Sequence, residues 1–311
     1  MAPILNRSNL AAVSFADGNG DHFRVYYQDA EGYIRETFYD SHNGWAQRDD
    51  DFVGKGKLNT GIAAITWDEG TEIRVYYLSE DSHLVERCYS GGAAGEWFDG
   101  ALTQAQFQAA PYSQVAAVPF SLDNSDIRVY YQDSENNVVE AVLDPGSETW
   151  GAGVLDLPTA IPGTSISAVS SVNRPDQRVW VYYQLANTQP VEYVLQPHHG
   201  WVVGGYEPSG TFAPGASISA VHWGDYNINV FAVSDQNTLV RTAWAKDTSW
   251  KRTEELQHVI TGAPIASLHV PSTDDWIRAY TQPSGQLISE LGSDDAGDSF
   301  VTMQSTIPVD H

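Results

Sequence analysis

Arginine and glutamate recur in this chain at one fixed step. Glu36 follows Arg24 by 12 residues, and the same step links Arg74 to Glu86, Arg128 to Glu140 and Arg278 to Glu290. A guanidinium is a rigid fork of donors and a carboxylate is an acceptor. Side by side, they grip neighbouring hydroxyls with charge-assisted hydrogen bonds. Aromatic residues keep a similar beat: Trp45, Trp97, Trp150, Trp201 and Trp250, with Phe300 at the sixth place. An indole offers a flat apolar surface to the C–H face of a sugar, and one N–H donor besides. Cation, carboxylate and indole together suit a small neutral saccharide. Glycoside hydrolysis needs something else, two carboxylates flanking a bond. One isolated Arg–Glu pair would be read as a cross-strand tie worth about 0–1 kcal/mol. Four copies at one step weaken that reading.

The elements that carry these residues form a repeat. Phe23-Arg24-Val25-Tyr26-Tyr27-Gln28 returns around Arg74 and Arg128, and in altered form around Trp180, Asn229 and Arg278. Positions 24, 74, 128, 180, 229 and 278 lie 50, 54, 52, 49 and 49 residues apart, the mark of a repeat architecture. Each copy opens with a strand of small and β-branched residues, such as Leu10-Ala11-Ala12-Val13-Ser14-Phe15. Such a strand suits the crowded centre of a ring of sheets. The Arg-Val-Tyr-Tyr strand follows and alternates, so Arg24 and Tyr26 share one face and Val25 and Tyr27 the other. A polar turn, a third strand and a tryptophan-led last strand complete the unit. The pattern predicts an all-β fold, a six-bladed β-propeller with four-stranded antiparallel blades. It predicts one domain over residues 1–311, with repeats at approximately 8–57, 58–110, 111–161, 162–213, 214–261 and 262–311. An open row of blades would expose two edges, so the ring is expected to close, with the stretch around Pro3 to Leu5 completing the last blade.

An even step sets Arg and Glu directly opposite on a hairpin when the loop has an odd number of residues, and both then emerge on one face. In a propeller the end of one blade lies beside its neighbour. The expected groups are therefore Arg24, Glu36 and Trp97; Arg74, Glu86 and Trp150; Arg128, Glu140 and Trp201; and, across the closure, Arg278, Glu290 and Trp45. In the fourth copy Trp180 replaces the arginine, leaving Glu192 with Trp250. Asn229, Arg241 and Phe300 are three departures that fall in one cleft, as expected of a site that has lost its task.

Composition narrows the partner. A formal net charge of −24 argues against nucleic acid, anionic membranes and acidic carbohydrate, and favours a neutral ligand. The same charge also keeps an aromatic-rich surface soluble. Cys88 is the one cysteine, so no internal disulfide forms. Met1 to Phe15 lacks signal-peptide organisation, and no apolar run approaches the roughly 20 residues of a membrane helix. The expectation is a soluble chain without membrane insertion, cytoplasmic or secreted without a leader.

At the repeated Arg-Val-Tyr-Tyr-Gln and Ile-Arg-Glu segments, and at Ile161-Pro162-Gly163-Thr164, the sequence resembles the fungal fucose-binding lectins typified by Aleuria aurantia lectin. The resemblance spans nearly the whole chain. It implies L-fucose in clefts between blades, held by Arg and Glu of one blade and closed by Trp of the next. It also implies an apolar pocket for the C6 methyl group, walled by Tyr89, Leu143, Leu195 and Tyr39. The implied partners are fucosylated oligosaccharides or glycoproteins, with no cofactor; a homodimer is compatible with the sequence. Against this pattern the fourth cleft should bind weakly or differently and the fifth not at all, leaving about four working sites for multivalent binding.

Two other classes stay open on sequence alone. Ser293-Asp294-Asp295-Ala296-Gly297-Asp298-Ser299-Phe300 fits the Asp-box turn of sialidases, in a single copy, and would accompany a propeller glycoside hydrolase. A protein-interaction propeller would use its flat faces and leave the clefts idle. Asp17-Gly18-Asn19-Gly20-Asp21 begins like a calcium loop. However, His22 and Gln28 stand where Gly and a bidentate Glu are required. The nine histidines show no metal spacing.

Overall fold

A computed structural model describes residues 3–47, 52–91, 95–121, 126–147, 149–172, 177–224, 227–245, 249–284, 286–295 and 299–307. Six antiparallel sheets follow one another in chain order. Blade one carries Ala11–Asp17, Gly20–Gln28, Tyr33–Asp40 and Gly44–Gln47 from the centre outward. Blade two carries Ala63–Trp67, Glu72–Leu78, Leu84–Ser90 and Glu96–Asp99, and blade three Val115–Pro119, Ile127–Gln132, Val138–Leu143 and Trp150–Ala152. Blade four carries Ser167–Ser171, Arg178–Gln184, Pro190–Gln196 and Gly200–Val203. Blade five carries Ile218–Trp223, Asn227–Val233, Thr238–Ala245 and Ser249–Trp250, and blade six Ile265–His269, Ile277–Thr281, Ile288–Ser293 and Val301–Ile307. In blades one and five a further strand, Gly54–Lys55 and Glu254–His258, also pairs with the third strand.

The first strands neighbour one another around the axis, and that of blade six meets that of blade one. Small and β-branched side chains suit a place so close to the axis, and most of these strands read Ala-Ala-Val, Ala-Ala-Ile or Ser-Ala-Val. Aliphatic side chains of one blade then pack on tyrosines and tryptophans of the next, in clusters that each span two blades. That burial drives closure of the ring.

In blades one, three, four and six a glutamine at the end of the second strand bolts the blade to the segment leading into the next. Gln28 Nε2 donates to Lys57 O at 2.8 Å while its Oε1 accepts from Asn59 N at 2.8 Å. Gln132 does the same with Ile161 O and Gly163 N. Gln282 closes the ring with this bolt, accepting from Arg7 N at 2.7 Å and donating to Leu5 O at 3.4 Å. The expectation for Pro3 to Leu5 is thereby corrected. That stretch adds no strand to blade six, which has its own outer strand. It bridges to blade one through Ile4 and Asp29, and Ile4 packs into the seam with Ile288 and Ile307. Four strands of one repeat already satisfy the sheet, so closure falls to side chains.

Candidate functional site

Alternation along the second strand puts Arg24 and Tyr26 on the face that looks toward blade two. The register corrects one expectation. Arg24 faces Phe38 and Glu36 faces Tyr26, so arginine and glutamate are diagonal neighbours and not direct partners. The loop is odd, as required, but its midpoint lies one residue further along the chain than a direct pairing needs. The same offset holds for Arg74 and Glu86, Arg128 and Glu140, and Arg278 and Glu290. A two-residue offset leaves face parity intact, so each pair still converges.

In the first cleft Arg24 Nε lies 3.9 Å from Glu36 Oε1. The edge of Trp97, from the next blade, stands against the Tyr26 ring at 6.3 Å. Tyr89 lies 5.4 Å from Trp97, and all four predicted residues of the group line a cavity of about 320 Å³. His22 lines it too, held between Asp40 at 2.5 Å and Asp17 at 2.9 Å. Burial opposes a charge on His22, but these carboxylates outweigh it and raise its pKa.

The other three groups repeat the plan. Trp150 stands against Tyr76 at 6.3 Å in the second cleft, and Trp201 against Tyr130 at 6.2 Å in the third. Arg128 Nη1 reaches Glu140 at 3.3 Å there. Across the closure Arg278 Nε is 3.6 Å from Glu290, and Trp45 Nε1 donates to Glu290 at 3.2 Å. The predicted wall residues lie directly opposite the tryptophans on the ladder: Tyr39 with Trp45, Tyr89 with Trp97, Leu143 with Trp150 and Leu195 with Trp201. Each therefore shares an apolar surface with its indole. Burial pushes Glu86, Glu140 and Glu290 above the usual carboxylate range, against the pull of the neighbouring arginine and of donated hydrogen bonds.

Three supporting sets of residues were not singled out from sequence. Tyr26, Tyr76 and Tyr280 donate to the glutamate of their own blade at 2.8, 3.1 and 3.1 Å, fixing its orientation. Their signal was the constant Arg-x-Tyr spacing. Phe15, Trp67, Phe120 and Trp276 lie under the four guanidinium groups at 5.0, 4.7, 4.4 and 5.7 Å, a cation–π floor. Gly100 and Gly153 follow Trp97 and Trp150 by three residues, and a Cβ at either would overlap the carboxyl group of Glu86 or Glu140.

The remaining two clefts are built differently. In the fourth, Trp180 stacks on His222 at 5.4 Å, occupying the arginine's place. Glu192 accepts from Tyr182 at 2.8 Å and from Gly205 N at 3.2 Å. Tyr206, a buried residue that sequence reading passed over, wedges between Tyr182 at 5.5 Å and Trp250 at 5.0 Å, so apolar packing takes up the cleft. In the fifth, Asn229 is fully buried, and its amide nitrogen and oxygen have no hydrogen-bond partner among the described residues. Arg241 is buried under Phe300 at 5.3 Å and lies 3.4 Å from Glu254. Phe231 replaces the tyrosine, consistent with an arginine that cannot accept its hydrogen bond.

Of the turn from Ser293 to Phe300, residues 296–298 lie outside the described region; Asp295 ties it locally by accepting from Ser299 N at 2.9 Å. Asp17 likewise caps its own turn through Asn19 N. Among the described residues no cluster of three His, Cys, Asp or Glu is placed to hold a metal ion, and no helix is long and apolar enough to cross a membrane.

A family model described as fungal fucose-specific lectin matches residues 4–299. A fucose-specific lectin of Aspergillus oryzae is 32% identical over 302 residues, covering 93% of this chain and 90% of the relative. That of Aleuria aurantia is 31% identical over 268 residues, covering 84% and 82%. Among solved structures, the six-bladed propeller lectin of Aleuria aurantia superposes with a TM-score of 0.85 at 28% identity, covering 98% of this chain and 97% of that one. SapL1 lectin in complex with alpha methyl fucoside gives 0.83 at 29% identity, covering 98% of each chain.

Proposed function

The chain belongs to the fungal fucose-specific lectin family, a family of carbohydrate-binding proteins and not of enzymes, and from that premise we propose that it binds terminal L-fucose in four of its six clefts. The observation that carries the reading is the meeting of Arg24 and Glu36 with Trp97 and Tyr89 around one cavity, in a plan repeated at Arg74, Arg128 and Arg278. In each, guanidinium and carboxylate take adjacent sugar hydroxyls. The indole covers the C–H face, and the wall residue opposite it receives the methyl group.

The packed fourth cleft and the arginine-filled fifth take no part. Four modest sites on one rigid ring gain strength by binding clustered fucosylated glycans together. Calorimetric titration with methyl α-L-fucoside tests this, with about four equivalents bound and a rise in melting temperature at saturation. No heat and no thermal shift would refute fucose binding. Six equivalents would refute the assignment of the two altered clefts.

A further inference from the structure

Every arginine in the four clefts touches a second carboxylate that the Arg/Glu/Trp plan does not include. Arg24 Nη1 is 3.4 Å from Asp40, and Arg74 Nη2 donates to Glu72 at 3.0 Å. Arg128 Nε is 3.5 Å from Asp126, and Arg278 Nη1 donates to Asp294 at 2.9 Å. These acids occupy two different positions in sequence. Glu72 and Asp126 precede their arginine by two residues, whereas Asp40 and Asp294 follow their glutamate by four. In space the two positions are one place. They face each other on the ladder, as His22 faces Asp40 and Glu72 faces Ser90. In the blades that lack the arginine, the facing residues are Arg178 and Gln196 in blade four, and Asn227 and Ala245 in blade five. Neither pair holds an acid. Across six blades the second carboxylate is present with the arginine and absent without it.

We infer that Asp40, Glu72, Asp126 and Asp294 are positioning residues that aim the guanidinium at the saccharide; the inference rests on the sugar-binding reading above. In clefts one and six the acid joins two carbonyls in holding Nη1. Arg24 Nη1 donates to Phe23 O and Tyr39 O at 2.9 and 3.3 Å, and Arg278 Nη1 to Ile277 O and Ser293 O at 3.0 and 3.4 Å. Among the described residues, Nη2 of both arginines has no hydrogen bond to protein, which leaves it for hydroxyls. An arginine has a long side chain's rotamer entropy to lose, and a clamp that removes it beforehand strengthens each later bond.

The test exploits the two interchangeable positions. In a background with Arg24, Arg128 and Arg278 changed to alanine, cleft two alone keeps its arginine. There Glu72→Ser should weaken methyl α-L-fucoside about tenfold, and adding Ser90→Asp should restore most of it. A merely structural role would not be rescued by moving the charge across the ladder. In parallel, ¹⁵Nε relaxation of Arg74 without ligand should show an ordered side chain in the parent, a mobile one in Glu72→Ser, and order regained in the double variant. Unchanged order in Glu72→Ser, or loss of affinity without rescue, overturns the inference. A parent that binds no fucoside but shows the predicted relaxation pattern refutes the sugar reading and leaves the clamp standing.

Discussion

The indole Nε1 of Trp45 donates to Glu290 at 3.2 Å across 245 residues of sequence. The contact lies on the seam where blade six meets blade one, beside the Gln282 bolt. It makes closure of the ring and completion of the Arg278–Glu290–Trp45 cleft one event. Tyr280 holds the same carboxyl group from within the blade at 3.1 Å, so Glu290 is oriented from both sides of the seam.

Trp45→Phe separates the two roles. It keeps an aromatic face on Tyr280 but removes the donor to Glu290. A hydrogen bond to a charged group contributes about 1.5–3 kcal/mol. The fucoside affinity of that cleft should fall about tenfold while the other three are unchanged, giving a biphasic titration with a melting temperature within a few degrees of the parent. Trp45→Ala also opens a cavity in the seam and should cost about 3–5 kcal/mol of stability. Equal losses of stability in the two variants would show that the indole holds the seam through its hydrogen bond and not through packing.

Gly153 tests the notch beneath a glutamate. A Cβ there would overlap the Glu140 side chain, whose carboxyl end can move where backbone cannot. Gly153→Ala should therefore leave the fold intact and push Glu140 away from Arg128. Calorimetry should count one site fewer, or one site weakened at least tenfold, with melting changed by less than about 1 kcal/mol equivalent. An unaltered third cleft would mean that the glycine serves only the turn.

The repeat was legible because sheet geometry repeats with it. Period-two alternation put Arg24 and Tyr26 on one face, and blade order put Trp97 beside them. Face parity is unchanged by a slip of two residues, so spacing could not tell a direct Arg–Glu pair from the diagonal one that Tyr26 and Phe38 define. The orienting acids escaped notice because Glu72 and Asp40 share a place in space but not in the repeat. Tyr206 escaped because its role is set by what surrounds it. Nothing in Gly204-Gly205-Tyr206 says that the ring will turn inward between Tyr182 and Trp250.

Glu192 should give the chain a pH-dependent stability that its binding does not share. Burial pushes its carboxyl group up to about 7 from 4.5, offset only in part by the Tyr182 hydroxyl and the Gly205 N–H. At the place where four of the other clefts hold an arginine, this one has Trp180. Below about 4.5 the group is protonated in both the folded and unfolded chain and contributes no slope. Between 4.5 and about 7 the unfolded chain releases the proton first, so stability falls as pH rises; above 7 the loss is complete. The buried Glu86, Glu140 and Glu290 are raised too and add slopes of the same sign, so the comparison is made against one variant. In Glu192→Gln the amide oxygen can accept from Gly205 N at the place of Oε1 while the amide nitrogen donates to the Tyr182 hydroxyl at the place of Oε2, and the group carries no charge at any pH. The variant should melt close to the parent at pH 4.5 and several degrees above it at pH 8, a difference on the order of 2 kcal/mol. Because Tyr206 already occupies this cleft, the fucoside stoichiometry should be the same in both proteins. A gap that stays constant from pH 4.5 to 8 would mean that Glu192 ionises normally. A change in stoichiometry would mean that the fourth cleft binds sugar after all.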